Sequence, residues 1–294
     1  MSDIQPQSFI IAAGDGHPVV ADGYWPAGTG VDGSVDRAVI LCHGFKGHRR
    51  WGFIPYLATR LQESGIAAVS IDFSHNGHVA SGVTDPNIAH TEFVTPDLFR
   101  ANTLRRERDD LAAVLSWLRD PDPAHPTLGR DAPVGLWGHS RGGISVIHAA
   151  MEDPRARAIS TWSTGTQPDT YSDRQKASWR EAGALEFTDQ ATGAPLAIGL
   201  AYLDEIERDA SQYDMVRLAA ELRAAHLIIH GERDLAVPID HGQRLYDTPG
   251  FHADKRLLRM LTGHTFGYEA GAPVNDVLAQ SASATTDWFR EYLK

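Results

Sequence analysis

Residues 138–142 read Gly-His-Ser-Arg-Gly, with a further glycine at 143, so Ser140 lies in a stretch where backbone is allowed to come unusually close. A serine hydroxyl is a weak nucleophile near neutral pH. Covalent chemistry at Ser140 therefore requires a base to take its proton and an acid to hold that base in one tautomer. The pattern G-x-S-x-G describes a strand-to-helix elbow that displays its serine, with glycines where a Cβ would clash. The alternative is a plain Gly-rich helix start. The context favours the elbow, because the apolar run APVGLW precedes it and the helical run ISVIHAAM follows.

On such a framework the acid and then the base should follow in the chain, each in a loop beyond a later strand. The run HLIIHGERDLAVP places Asp234 in such a loop, and RLLRMLTGHTFG does the same for His264 between Gly263 and Gly267. Glu232 competes as the acid but lies nearer its strand end. Asp204, Asp209 and Asp214 read as solvated carboxylates. His139 adjoins the serine and should point elsewhere, into packing or a structural hydrogen bond, and His226 and His230 read as scaffold. A developing oxyanion needs two N–H donors. The amide of Arg141, next to the nucleophile, supplies one, and the loop HGFKG offers that of Phe45 as the second. A phosphate-binding reading of HGFKG lacks the Lys-Ser/Thr pair it would need.

The fourteen histidines raise the question of a metal, above all His75 and His78 behind Asp72. Neither H-E-x-x-H nor a cysteine pair accompanies them, so a hydrogen-bonded loop is expected there. No G-x-G-x-x-G follows a strand. Neither a metal nor a cofactor is expected.

Elements that position these residues follow from the patterning. SFIIAA and PVVADGYW flank the turn GDGH as a hairpin. RAVILCHG, IAAVSIDFS, APVGLWGHS, RAISTWS and AHLIIHGE are unbroken apolar runs, as in strands covered on both faces, and DKRLLRMLTG adds a last strand. Between and after them, FIPYLATRLQES, ANTLRRERDDLAAVLSWLRD, GGISVIHAAMED and VNDVLAQSASATTDWFREYL carry apolar residues at helical spacing. The charges of LRRERDDL read as a solvated helix start. Residues 165–221 break the alternation, with scattered aromatics and no apolar strand run. They are expected to form a lid inserted in a single domain spanning 1–294, too short for a core of their own. Tyr171, Trp179 and Tyr202 within it are candidates to line an acyl or aromatic pocket; packing the lid onto the body is the alternative.

With HGFKG, GHSRGG, GERD and GHTFG in this order, the sequence resembles the α/β-hydrolase superfamily over nearly its whole length. The segment HGFKGHRRWGFIPYLATRLQESGIAAVSIDFSHNG is similar to short-lidded members such as cinnamoyl or feruloyl esterases, serine-aminopeptidase-like and dienelactone-hydrolase-like enzymes. The resemblance implies an eight-stranded, mostly parallel sheet with helices on both faces, catalysis by Ser140, Asp234 and His264, and oxyanion donors at Phe45 and Arg141. Dienelactone hydrolases carry a cysteine nucleophile, so Ser140 disfavours their particular reaction.

The expectation is a serine carboxylic ester hydrolase acting on small aromatic or short-chain acyl esters. An amidase, peptidase or acyltransferase with the same triad is the nearer alternative, and a non-catalytic binding protein of the same fold the more distant. A formal charge of -11 without a basic cluster argues against nucleic acid. Cys42 is the single cysteine, which excludes an internal disulfide and fits a reducing compartment. The first residues lack a basic n-region, and no apolar stretch is long enough to span a bilayer. A cytoplasmic protein is expected, with a small-molecule ester as its partner and a homodimer left open.

Overall fold

A computed structural model describes residues 6–30, 33–121, 124–189, 192–250 and 254–294. Residues 1–5, on which the leader reading partly rests, lie outside that set. In chain order the strands are β1 (Gln7–Ile11), β2 (Val19–Tyr24), β3 (Ser34–Val35), β4 (Ala38–Cys42), β5 (Ala67–Asp72), β6 (Thr127–Leu128), β7 (Val134–His139), β8 (Ala156–Trp162), β9 (Ala184–Thr188), β10 (Pro195–Gly199), β11 (Ala225–Gly231) and β12 (Lys255–Met260). The helices are α1 (Ile54–Glu63), α2 (Pro96–Ala101), α3 (Leu104–Trp117), α4 (Arg141–Glu152), α5 (Asp173–Ala182), α6 (Leu200–Arg208), α7 (Met215–Glu221), α8 (Ile239–Asp247) and α9 (Asp276–Tyr292).

Eight strands form one sheet in the order β1-β2-β5-β4-β7-β8-β11-β12. The β1–β2 and β2–β5 pairings are antiparallel, and every pairing from β5 to β12 is parallel. The fully buried runs AVILC of β4 and VGLWGH of β7 form the middle of the sheet, where helices cover both sides. One core joins α3, α4 and α7 to the sheet through Leu111, Val114, Ile144, Ile147 and Met215. The other packs α1 and α9 on the opposite face through Ile54, Leu57, Leu61 and Phe289. The parallel strands end in register, Cys42 beside Gly138, Gly138 beside Thr161 and Gly231 beside Met260. Their following loops therefore emerge along one carboxyl edge, where ligands of open α/β sheets bind.

The stretch 165–221 contains α5, the antiparallel hairpin β9–β10, α6 and α7. The strand pair is not expected from the sequence, where no apolar strand run is read in this stretch. In β9 the reason is that ALEFT alternates half-buried and exposed positions after Ala184 instead of forming an apolar run. α7 packs on α4 and α8. LRRERDDL also corrects the sequence reading: Glu107 and Asp110 are 2% and 3% exposed. With Leu104, Leu111 and Val114 they fall at three- and four-residue spacing, and so on the buried side of α3.

Candidate active site

Ser140 follows β7 and caps α4 at φ +53°, ψ −122°, a conformation a side-chain-bearing residue holds only when its surroundings enforce it. Two bonds do so: the Ser140 amide donates to Trp162 O (2.8 Å), and its carbonyl accepts the Gly143 amide (3.0 Å). A Cβ on Gly138 would overlap the Gly142 carbonyl, and one on Gly142 would overlap the carbonyl of His43 at the end of β4. These two glycines thus let the elbow close and let the β4 loop lie against it.

Asp234 and His264 meet through the loops after β11 and β12. A Cβ on Gly231 would lie 2.6 Å from the Thr262 carbonyl, and the Arg233 amide donates to that same carbonyl (2.9 Å). The result is a hydrogen bond of 2.7 Å between His264 Nδ1 and Asp234 Oδ2. Asp234 Oδ1 accepts the amides of Ala236 (2.9 Å) and Val237 (2.8 Å), which fixes the carboxylate. Burial would raise this carboxyl's pKa, but the His264 hydrogen bond and the Val237 amide outweigh burial and hold it below the ordinary carboxylate value. Its oxygens are buried, while the His264 ring stays 22% exposed. An acceptor at Nδ1 leaves Nε2 as the nitrogen that can exchange a proton with a neighbour.

Serine and histidine are tied together by His139. Its Nε2 bonds the His264 carbonyl (3.0 Å), its ring lies 4.8 Å from that of His264 and stacks on Trp51 at 5.5 Å. Burial, reinforced by His264, pushes the His139 pKa down to about 3, so it stays neutral and structural. His226 bonds Thr161 Oγ1 (2.8 Å) and His230 bonds the Val237 carbonyl (2.8 Å). Glu232 and Asp204 are exposed, Asp209 pairs with Arg208, and Asp214 caps α7.

The loop after β4 carries the second oxyanion candidate. His43 Nδ1 donates to the Gly44 carbonyl (2.8 Å) while its Nε2 faces the Phe73 amide (3.4 Å) and Asn76 Nδ2 (3.3 Å). In a trans peptide the next N–H points away from that carbonyl, so the imidazole sets the direction of the Phe45 amide. Gly44 itself abuts the elbow, since a Cβ there would lie 2.9 Å from Ser140 Cβ. Among the described residues no backbone carbonyl takes the amides of Phe45 or Arg141. The latter opens α4, whose first amides lack intrahelical partners and carry the positive end of the helix dipole.

Sequence reasoning missed the groups that anchor this loop. Arg49, buried, pairs with Asp22 (3.1 Å) and with Asp72, whose Oδ1 also accepts the Arg49 amide (2.7 Å). Arg50 adds a second cation on Asp22. HRR following HGFKG was the available signal, because adjacent arginines beside an apolar sheet need buried carboxylates. The side chain of Arg141 was also passed over; its guanidinium pairs with buried Glu107 and lies over the rings of Phe45 (5.0 Å) and Tyr202 (5.4 Å). Of the pocket candidates, Trp179 is 1% exposed, edge-on to half-buried Tyr171 (5.2 Å) and parallel to Tyr202 (6.3 Å). It backs these two rings.

His75 faces Ser74 and Asp15, whereas His78 faces the Glu92 carbonyl and Phe93, so the pair does not converge. Among the described residues no group of three or more His, Cys, Asp or Glu is placed to hold a metal. Among them, too, no helix is long and apolar enough to cross a membrane.

Comparison with known proteins agrees with this architecture. Residues 33–190 match the model of the family described as Serine aminopeptidase, S33. The chain is similar to a 31.7 kDa protein of the traX-finO intergenic region of Escherichia coli, 21% identical over 286 residues covering 87% of this chain and 91% of that one. Among solved structures it resembles the esterase domain of a Rhodothermus marinus protein, with 18% identity, TM-score 0.63, and 99% and 100% of the two chains covered. It also resembles Est1E of Butyrivibrio proteoclasticus with ferulic acid bound, with 20% identity, TM-score 0.66, and 97% and 98% covered.

Proposed function

The chain belongs to the serine aminopeptidase S33 family of α/β-hydrolases, and from that premise we propose that it is a serine carboxylic ester hydrolase. Ser140 attacks the ester carbonyl, His264 takes the hydroxyl proton at Nε2 and returns it to the leaving alcohol, and Asp234 holds the imidazole in the required tautomer. The amides of Phe45 and Arg141 receive the oxyanion. Water then frees the acyl group from Ser140 by the same proton transfers. The observation that carries the reading is the 2.7 Å Asp234–His264 bond, joined through His139 to a serine held at φ +53°.

Esters are favoured over aminopeptidase substrates by the charge beside the elbow. A peptide amino terminus is an ammonium that needs acceptors, and the guanidinium of Arg141 presents only N–H donors to it. The aromatic surroundings of Phe45, Tyr171 and Tyr202, and the ferulic acid bound to Est1E, support small aromatic or short-chain acyl esters. We place residues 165–221 over this pocket as a lid, and the enzyme, with its free, buried Cys42, in the cytoplasm. The test is Ser140→Ala, which should abolish hydrolysis of p-nitrophenyl acetate while leaving the circular dichroism spectrum unchanged. A variant that keeps full activity would exclude the mechanism.

A further inference from the structure

The sequence gives no reason to value the Arg141 side chain, yet the fold buries it beside the nucleophile. It is 13% exposed, and its partner Glu107 is 3% exposed. Glu107 is itself held by Asn102 Nδ2 (3.0 Å) and Ser145 Oγ (2.9 Å), so its position is set from α3 and α4 together. Arg141 gives Nη2 to Glu107. Its Nε and Nη1 donate to no group among the described residues, and neither belongs to the fully buried side-chain atoms without a partner, so this edge of the fork is accessible. The two rings flanking the guanidinium, Phe45 and Tyr202, hold it in place by cation–π contact.

Direction follows from the neighbours. Phe45 is the residue whose amide is assigned to the oxyanion, and its ring packs with Phe99 (5.4 Å) and Phe187 (5.6 Å) in the core on the α3–α4 face. His264 lies against His139, which stacks on Trp51 and meets Phe53 edge-on from the other face. The leaving alcohol must lie at His264 to be protonated, so a group reaching Arg141 belongs to the acyl part of the substrate. A guanidinium with one edge fixed and another open is suited to a planar carboxylate.

We propose that Arg141 and the rings of Phe45 and Tyr202 form a subsite for a carboxylate at the far end of a short acyl chain, making half-esters of dicarboxylic acids the preferred substrate class. This rests on the ester-hydrolase reading for which side of Ser140 is the acyl side, but not for whether the anion binds. Binding is therefore measured without turnover, by titration calorimetry with glutarate and with neutral glutaramide. Glutarate should bind at least tenfold more tightly, and the margin should vanish in Arg141→Met. Because that change strands Glu107 in the core, the double variant Arg141→Met/Glu107→Gln, which removes both charges, is titrated as well. Turnover is then compared for p-nitrophenyl hemiglutarate and p-nitrophenyl butyrate. The wild-type ratio of kcat/KM should favour the hemiglutarate, and the double variant should lower that ratio by about ten- to a hundredfold, as expected for a charge-assisted contact. Equal binding of glutarate and glutaramide, or a margin that survives in the double variant, would reduce Arg141 to a tie between α3 and α4. Glutarate binding without hydrolysis of either ester would uphold the subsite and overturn the ester-hydrolase reading instead.

Discussion

Replacing Gly44 by alanine should injure catalysis far more than folding. The added Cβ would lie 2.9 Å from Ser140 Cβ, 3.0 Å from the His139 carbonyl oxygen and 3.3 Å from His139 Nδ1. Carbon atoms in contact prefer roughly 3.5 to 4.0 Å, so the loop must retreat from the elbow by about half an ångström or more. Neither neighbour can yield easily, since Ser140 is bound to Trp162 and His139 is stacked on Trp51. The retreat carries the Phe45 amide with it. Losing an oxyanion donor outright costs about two to three orders of magnitude, and a misplacement of about 1 Å can cost a hundredfold. Gly44→Ala should therefore lower kcat for p-nitrophenyl acetate by roughly ten- to a hundredfold with little change in KM, and cost about 1–3 kcal/mol of stability from overpacking. Gly14→Ala, whose Cβ would meet nothing within 4 Å, serves as the control. Steady-state kinetics and thermal melts on both variants decide the matter. Undiminished kcat in Gly44→Ala would refute the placement of the oxyanion loop.

Two further outcomes follow from buried charge. Arg49→Met leaves Asp72 buried without a cation, while Arg50 still holds Asp22, and should cost about 3–5 kcal/mol, read as a lowered urea midpoint; an unchanged midpoint would show that this network does not hold the loop. Acid should weaken the fold well above the carboxylate range, because burial lowers His139 and His226 to about 3. Their neutral forms stabilise the native state above the unfolded histidine value near 6.5, and that contribution is lost as pH falls from there towards 3, at about 1 kcal/mol per pH unit for each. Asp110, which burial raises to about 7, acts in the opposite sense, stabilising the fold more at the acid end of that range. The two histidines outweigh it, so the melting temperature should drop between pH 7 and pH 5. A flat or rising profile would contradict their burial.

How far the sequence could be read depended on whether the signal was local. Apolar runs and the glycines around Ser140 announced the eight main strands and the elbow, because each needs nothing beyond its own neighbours in the chain. The candidate acid and base were legible through their order after later strands, and the structure brings Asp234 and His264 within hydrogen-bond distance. Charges on buried helix faces were not legible in the same way. Glu107 looks solvated among LRRERDDL until Arg141 and Ser145 arrive from α4, 34 and 38 residues on. The same holds for Arg49, in the loop after β4, whose partners Asp22 and Asp72 come from β2 and β5. The β9–β10 hairpin escaped notice because ALEFT mixes apolar with charged and polar residues, while its partner PLAIG is a short apolar run bounded by Pro195 and Gly199.

The central claim is that Ser140 is a nucleophile activated by His264 and Asp234. Its most direct test is reaction with a fluorophosphonate probe, followed by mass spectrometry of the labelled peptides. A single adduct on Ser140 is predicted, absent in Ser140→Ala and formed orders of magnitude more slowly in His264→Ala and Asp234→Asn. An unlabelled wild-type protein, or a Ser140 that reacts equally fast without His264, would contradict it.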